Sequence, residues 1–254
     1  ELERTLSNAN RRMQQELRTA ASIQRSLLPV RLPNCFGSSF AWSYEPCDEL
    51  GGDILNVLPL GADQVALYLL DVSGHGVSAA LLSVALSRLL TTSTNSSSII
   101  REKAETDSSY RIVPPQEVLA RLNQRFYLDL AGERFFTMMY GILDLRTNQL
   151  RYASGGHNPA LVLRQGGEVK KLASTGPLMG ILEDATFDED LIQLQPNDRL
   201  LIYSDGITEA VGPSGEQFGL ERLIALIQAA EQASLQDALN QLMQSVQEWA
   251  RPGG

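Results

Sequence analysis

Histidine and cysteine are scarce: the 254-residue chain has two of each. Cys35 and Cys47 are too few for a disulfide framework, and thiol-ligated zinc has little to build on. Reduced thiols of a cytoplasmic protein are the expectation. His75 and His157 alone exclude a histidine-rich metal site. No apolar run approaches the ~20 residues of a membrane span. The polar, helix-like N-terminus is no secretory signal. Positive charge is also short, with 21 Lys and Arg against 30 Asp and Glu, a net −9. Such a chain is a poor partner for nucleic acid or an anionic membrane, and neither is expected. No Gly-Lys-Ser/Thr phosphate loop occurs, which excludes a P-loop NTPase.

Apolar residues make up 43% of the chain, enough for one large domain with a buried core, with or without an appendage. Residues 1–28 read as one helix, because Leu2, Leu6, Ala9, Met13, Leu17, Ala20 and Ile23 recur every three or four positions. The stripe is near-heptad. It suits either a coiled-coil strand in a homodimer or a helix packed on its own domain. Pro29 and Pro33 stop the helix. A chain that begins inside a helix reads as a piece of something longer.

The body, residues 34–254, starts near Phe36. Phe40, Trp42 and Tyr44 alternate with small polar residues, as in a half-buried strand. Ile54–Leu58 and Val65–Leu70 read as strands, and Val77–Leu90 as a helix. Residues 91–113 are polar and read as a mobile insertion. Pro115–Leu130 is a second helix. Strands follow at Thr137–Leu145, Leu150–Ala153, Ala160–Leu163, Val169–Leu172, Leu191–Leu194 and Arg199–Tyr203. Helices Leu220–Ala230 and Leu235–Ala250 close the chain. Antiparallel hairpins set apart from helices indicate an α+β fold, a sandwich of sheets covered by helices.

Asp53, Asp71 and Asp205 share one feature: each falls at a strand end beside or near glycine. An acidic residue there is costly unless paired, hydrogen-bonded or ligated. Singly, each reads as a turn or cap aspartate. If neighbouring strand ends bring them together, their repulsion calls for a cation, and hard carboxylate oxygens suit Mg²⁺ or Mn²⁺. Ser73 and Ser204 have no histidine at triad spacing. Gly51-Gly52-Asp53 lacks the rest of a GGDEF cyclase signature, because Ile54-Leu55 follows it. Glu183-Asp184 and Asp188-Glu189-Asp190 read as a solvated acidic loop.

Asp71-Val72-Ser73-Gly74-His75-Gly76 with the helix opening Val77-Ser78-Ala79-Ala80-Leu81-Leu82 resembles the bacterial SpoIIE/RsbU branch of the PPM (type 2C-like) metal-dependent serine/threonine protein phosphatases. Leu50-Gly51-Gly52-Asp53, Ser154-Gly155-Gly156-His157-Asn158-Pro159 and Tyr203-Ser204-Asp205-Gly206-Ile207-Thr208-Glu209-Ala210 match in family order. Ile23-Gln24-Arg25-Ser26-Leu27-Leu28-Pro29 resembles the linker helix ahead of this domain in response-regulator proteins. The resemblance implies an α/β/β/α sandwich of two antiparallel sheets flanked by helices. It implies two Mn²⁺ or Mg²⁺ ions, bridged by Asp71, with the Val72 backbone carbonyl as a further ligand, Asp53 on one ion and Asp205 on the other.

Through the same resemblance, the expected reaction is dephosphorylation of phosphoserine or phosphothreonine on a partner, of the anti-sigma-factor antagonist type. The domain would be the output of a signalling protein with a receiver or sensor domain ahead of it. Gly74, His75 and Gly76 are candidates for phosphate contact or turn structure, with His75 also weighed as a general acid. His157 is expected to make structural hydrogen bonds. The family's late Asp-Asp-Ile/Met-Thr strand has no counterpart after Trp249, so the C-terminal strand is expected to be missing. The alternative is a catalytically weak or inactive adaptor on the same fold, binding an anti-sigma factor, its antagonist or a sigma factor.

Overall fold

Two antiparallel sheets carry the chain in the computed structural model, which describes residues 2–33, 35, 37–92, 98–103, 110–130 and 134–251. In chain order the elements are α1 (Leu2–Arg25), β1 (Asp53–Pro59), β2 (Gln64–Val72), α2 (Val77–Ser87), β3 (Arg101–Lys103), β4 (Tyr110–Ile112), α3 (Pro115–Leu130), β5 (Phe136–Asp144), β6 (Gln149–Gly155), β7 (Ala160–Leu163), β8 (Val169–Leu172), β9 (Asp190–Gln193), β10 (Arg199–Leu201), α4 (Asp205–Thr208), α5 (Gly219–Ala229) and α6 (Leu235–Ala250). One sheet has five strands in the order β1-β2-β5-β6-β9, the second has three, β10-β7-β8, and β3 pairs with β4 alone.

Strand alternation sorts the core into layers. On β2 and β5, Ala66, Tyr68, Leu70, Phe136, Met138 and Tyr140 face α2 and α3, packing with Ala79, Leu82, Leu119 and Leu122. Leu67 and Met139 point the other way, against Ala160, Val162 and Leu172 of the second sheet. That sheet's outer face packs Leu161 and Tyr203 on Leu223 and Leu242 of α5 and α6. The layers run α/β/β/α, as the resemblance implies. Leu70 is fully buried, and its truncation to alanine should cost about 2–5 kcal/mol.

Local signals explain several boundaries. Pro115 opens α3, where its missing N–H costs nothing. Ser234 caps α6, its hydroxyl accepting from the Asp237 N–H. Gly76 begins α2 at φ 81°, a left-handed conformation that favours glycine.

Four expectations need correction. Phe40–Tyr44 forms no strand; Trp42 and Tyr44 still pack against the main core, so alternation there reports half-burial rather than pairing. The helix from Val77 ends at Ser87, followed by a turn that buries Leu90. The polar stretch 91–113 contains the hairpin β3–β4, with Ile100 and Val113 fully buried beside it; its residues 93–97 and 104–109 lie outside the described residues, as does Phe36. Asp53 and Asp71 do stand at strand ends, Asp53 as the first residue of β1 and Asp71 as the next-to-last of β2. The strand from Arg199 ends at Leu201, and Asp205 opens the one-turn helix α4.

Of α1, the far end touches the domain: Gln24 is buried, whereas Leu6, Met13 and Ile23 stay more than half exposed. Cys35 and Cys47 are free. Among the described residues, no helix is long and apolar enough to cross a membrane.

Candidate active site

β1 and β2 pair so that Asp53 stands directly opposite Asp71. Two carboxyls in that position repel unless they share a proton or a cation. Here they share a hydrogen bond. Burial first, then the Asp53 charge, pushes the Asp71 carboxyl up to about 8, with Asp205 and Glu209 adding to the shift. Burial also raises Asp53, opposed by its hydrogen bonds to Ser204 and Asp71. The two carboxyls therefore share a proton between them.

The third carboxylate arrives from the other sheet. Beyond β10 the chain runs through Tyr203 and Ser204 into α4, and the Ser204 hydroxyl donates to Asp53 Oδ2 at 2.7 Å. That bond joins positions 151 residues apart and ties the two halves of the site together. Asp205 follows at the exposed rim, close enough to raise both buried carboxyls. Glu209, whose N–H donates to the Asp205 carbonyl across α4, adds a fourth negative group.

The Val72 carbonyl lies against Gly52, where a Cβ would come within 2.4 Å of it. Only glycine keeps that carbonyl clear. Among the described residues, no three histidine, cysteine or carboxylate side chains stand as a ready-made ligand shell. The reason is visible: Asp53 and Asp71 are engaged with each other, and Asp205 stands out at the rim. The donor set nonetheless fits a hard divalent cation. Its oxygens are carboxylate and carbonyl, and a cation would remove the repulsion that now holds a proton on Asp71.

The turn after β2 carries Gly74 at φ 85° and an exposed His75, whose Nδ1 lies 2.8 Å from Asp48 Oδ2. His75 thus ties the turn to the loop ahead of β1. His157 is buried, with Nδ1 2.7 Å from Thr137 Oγ1. Thr137 pairs with Asp71 across β2 and β5. Burial drives the His157 pKa down to about 4, so the ring is neutral; the nearby Tyr203 backbone opposes that shift, although Nε2 completes no regular hydrogen bond.

Three further residues sit at the site without having stood out as candidates in the sequence. Gln24 of α1 donates to the Gly51 carbonyl at 2.7 Å and to Ser83 Oγ of α2 at 3.2 Å. Arg134 spans the turn, donating to the Ser73 carbonyl and to Ser78 Oγ. Glu209 was in a matched motif, and its position four residues after Asp205 could have placed it on the same side of a helical turn.

A sandwich of this order, with aspartates meeting where β1, β2 and the β10 connection converge, defines a PP2C-type phosphatase fold. The PP2C domain of SiaA from Pseudomonas aeruginosa superimposes with a TM-score of 0.77 at 21% identity, over 95% of this chain and 92% of that one. The chain belongs to the family described as Stage II sporulation protein E (SpoIIE), whose profile matches residues 61–253. Protein IcfG of Synechocystis is 28% identical over 84% of this chain, which spans 36% of IcfG. Phosphoserine phosphatase RsbU of Bacillus subtilis is 26% identical over 87% of this chain, which spans 62% of RsbU. The chain thus spans about a third to three-fifths of these two relatives.

Proposed function

We propose that the domain removes phosphate from phosphoserine or phosphothreonine on a partner protein in a divalent-cation-dependent hydrolysis. The observation that carries this reading is the Asp53–Asp71 pair, tied through Ser204 to the turn that bears Asp205, in a chain of the SpoIIE family. Asp53, Asp71, Asp205 and the Val72 carbonyl would hold two Mn²⁺ or Mg²⁺ ions. When bound, such ions supply charge neutralisation and a water of lowered pKa.

The chain's own residues prepare for this. Asp71 gives up the proton it shares with Asp53. Ser204 Oγ keeps Asp53 Oδ2 oriented, and Gly52 leaves the Val72 carbonyl accessible. Water adds to phosphorus, the seryl oxygen leaves with the phosphorus–oxygen bond's electrons and takes up a proton, and the products are a free hydroxyl and inorganic phosphate.

The partner is proposed to be of the anti-sigma-factor antagonist type, in the cytoplasm, with a receiver or sensor domain preceding α1. RsbU's description as a phosphoserine phosphatase supports that reading. The uncovered Leu6 and Met13 stripe supports pairing of α1 with a second copy. Light scattering checks this: the chain should be dimeric and a version starting at Pro29 monomeric, whereas the same oligomeric state for both rules the pairing out. The mutual engagement of Asp53 and Asp71 favours a second reading, a weakly active or inactive adaptor. Mn²⁺-dependent phosphate release from a serine-phosphorylated antagonist decides between them. Release abolished by chelator is expected; none at any Mn²⁺ concentration would favour the adaptor.

A further inference from the structure

A phosphoryl group entering this site meets Asp53, Asp71, Asp205 and Glu209, all of its own sign. Arg134 is a nearby cation that the reading above leaves without a task. It lies just ahead of β5, three residues before Thr137, the residue that pairs with Asp71. Its Nη1 donates to the Ser73 carbonyl at 2.8 Å and its Nη2 to Ser78 Oγ at 2.7 Å. Those bonds fix the guanidinium over the turn that leaves Asp71 and enters α2.

Two N–H groups are used there, of the five a guanidinium carries. Among the described residues no carboxylate pairs with Arg134, although the chain has 30 acidic residues. Arg111, Arg121, Arg151, Arg164 and Arg222 each sit on one. Glycine at position 74 leaves the guanidinium open, since a Cβ there would lie 3.1 Å from Nη1. α2 begins beside it at Gly76 without a side-chain cap, so its first N–H groups favour an anion at the same place.

We propose that Arg134 binds the phosphoryl group: its free N–H groups receive the non-bridging oxygens of the substrate phosphate and of the inorganic phosphate released. The inference rests on the phosphatase reading, and names the residue of that site that recognises the anion. A guanidinium fork suits a phosphate better than an ammonium does, because two parallel N–H bonds fix its orientation.

The test is titration of inorganic phosphate, followed by ³¹P NMR, into the Mg²⁺-loaded protein and its Arg134→Ala and Arg134→Lys variants, with Mg²⁺ affinity measured calorimetrically. Arg134→Ala should weaken phosphate binding about tenfold or more, as loss of a charge-assisted bond does, with Mg²⁺ affinity unchanged. Arg134→Lys should fall between. With a phosphoserine protein, KM should rise more than kcat falls. Unchanged phosphate binding in Arg134→Ala, or no phosphate binding by the parent protein, overturns the proposal. Equal losses of Mg²⁺ and phosphate affinity also overturn it, showing Arg134 to be a clamp on the turn. If phosphate binding depends on Arg134 but no phosphoserine is hydrolysed, the phosphatase reading fails and the anion site stands.

Discussion

Asp53 and Asp71 face each other across a strand pair, half-buried and joined through a proton, whereas Asp205 stands on one exposed turn of helix beyond a different sheet. The first pair is placed by register, which β1, β2 and β5 fix together along nearly their whole length. The second half is held by the Ser204–Asp53 hydrogen bond. One half of the site is thus built into the sheet, and the other must be brought to it. Repulsion among the acids opposes that closure, and a cation reverses its sign.

Removing the shared carboxylate should have the largest effect. Asp71→Asn should lower kcat on a phosphoprotein by about 10³-fold or more, several kcal/mol of transition-state stabilisation, with the fold intact by circular dichroism. Activity like the parent's would break the assignment of Asp71 as the bridge. Cutting the tie between the halves should cost less. Ser204→Ala removes the hydroxyl that orients Asp53 Oδ2, and losses of this kind run about 10–100-fold in metal affinity or activity. An unchanged Mn²⁺ dependence would show that the halves meet without it.

Much of the rigid half was legible in the sequence. α3, β7, β8 and α6 fall where their apolar periodicity and turn residues put them, and Asp53 and Asp71 stood out as acids beside buried strands. The brought-up half was harder to read. Arg199–Tyr203 is apolar enough to continue as a strand, but pairing with β7 stops at Leu201 and frees Ser204 to reach Asp53. A hydrogen bond spanning 151 positions has no local signature. Gln24 and Arg134 were hidden for the same reason, since their partners at Gly51, Ser83, Ser73 and Ser78 are set by tertiary packing. Phe40–Tyr44 shows the opposite failure, a local pattern without a strand partner.

A smaller effect follows from the proton on Asp71. Its carboxyl titrates near 8 in the folded protein against an ordinary 3.8, so the folded state holds a proton that the unfolded chain has lost. The Asp71 contribution to cation-free stability is therefore fully present at low pH and is lost as pH rises through that window. His157 acts oppositely: its pKa of about 4 against 6.5 means its stabilisation is lost as pH falls below about 6.5. Melting temperatures in chelator should fall from pH 6.5 to 8, above the His157 window, and Asp71→Asn should flatten that slope. A slope equally steep in the variant would place the proton elsewhere.

The central claim is that the two halves form a single cation-binding site. Calorimetric Mn²⁺ titration of the parent chain, Asp53→Asn, Asp71→Asn and Asp205→Asn tests it most directly. The account predicts that every variant loses affinity by about tenfold or more, Asp71→Asn most, because each removes one charged oxygen ligand from a shared site. An Asp205→Asn isotherm identical to the parent's would contradict it, leaving Asp53 and Asp71 as a buried carboxyl pair and Asp205 as a rim aspartate.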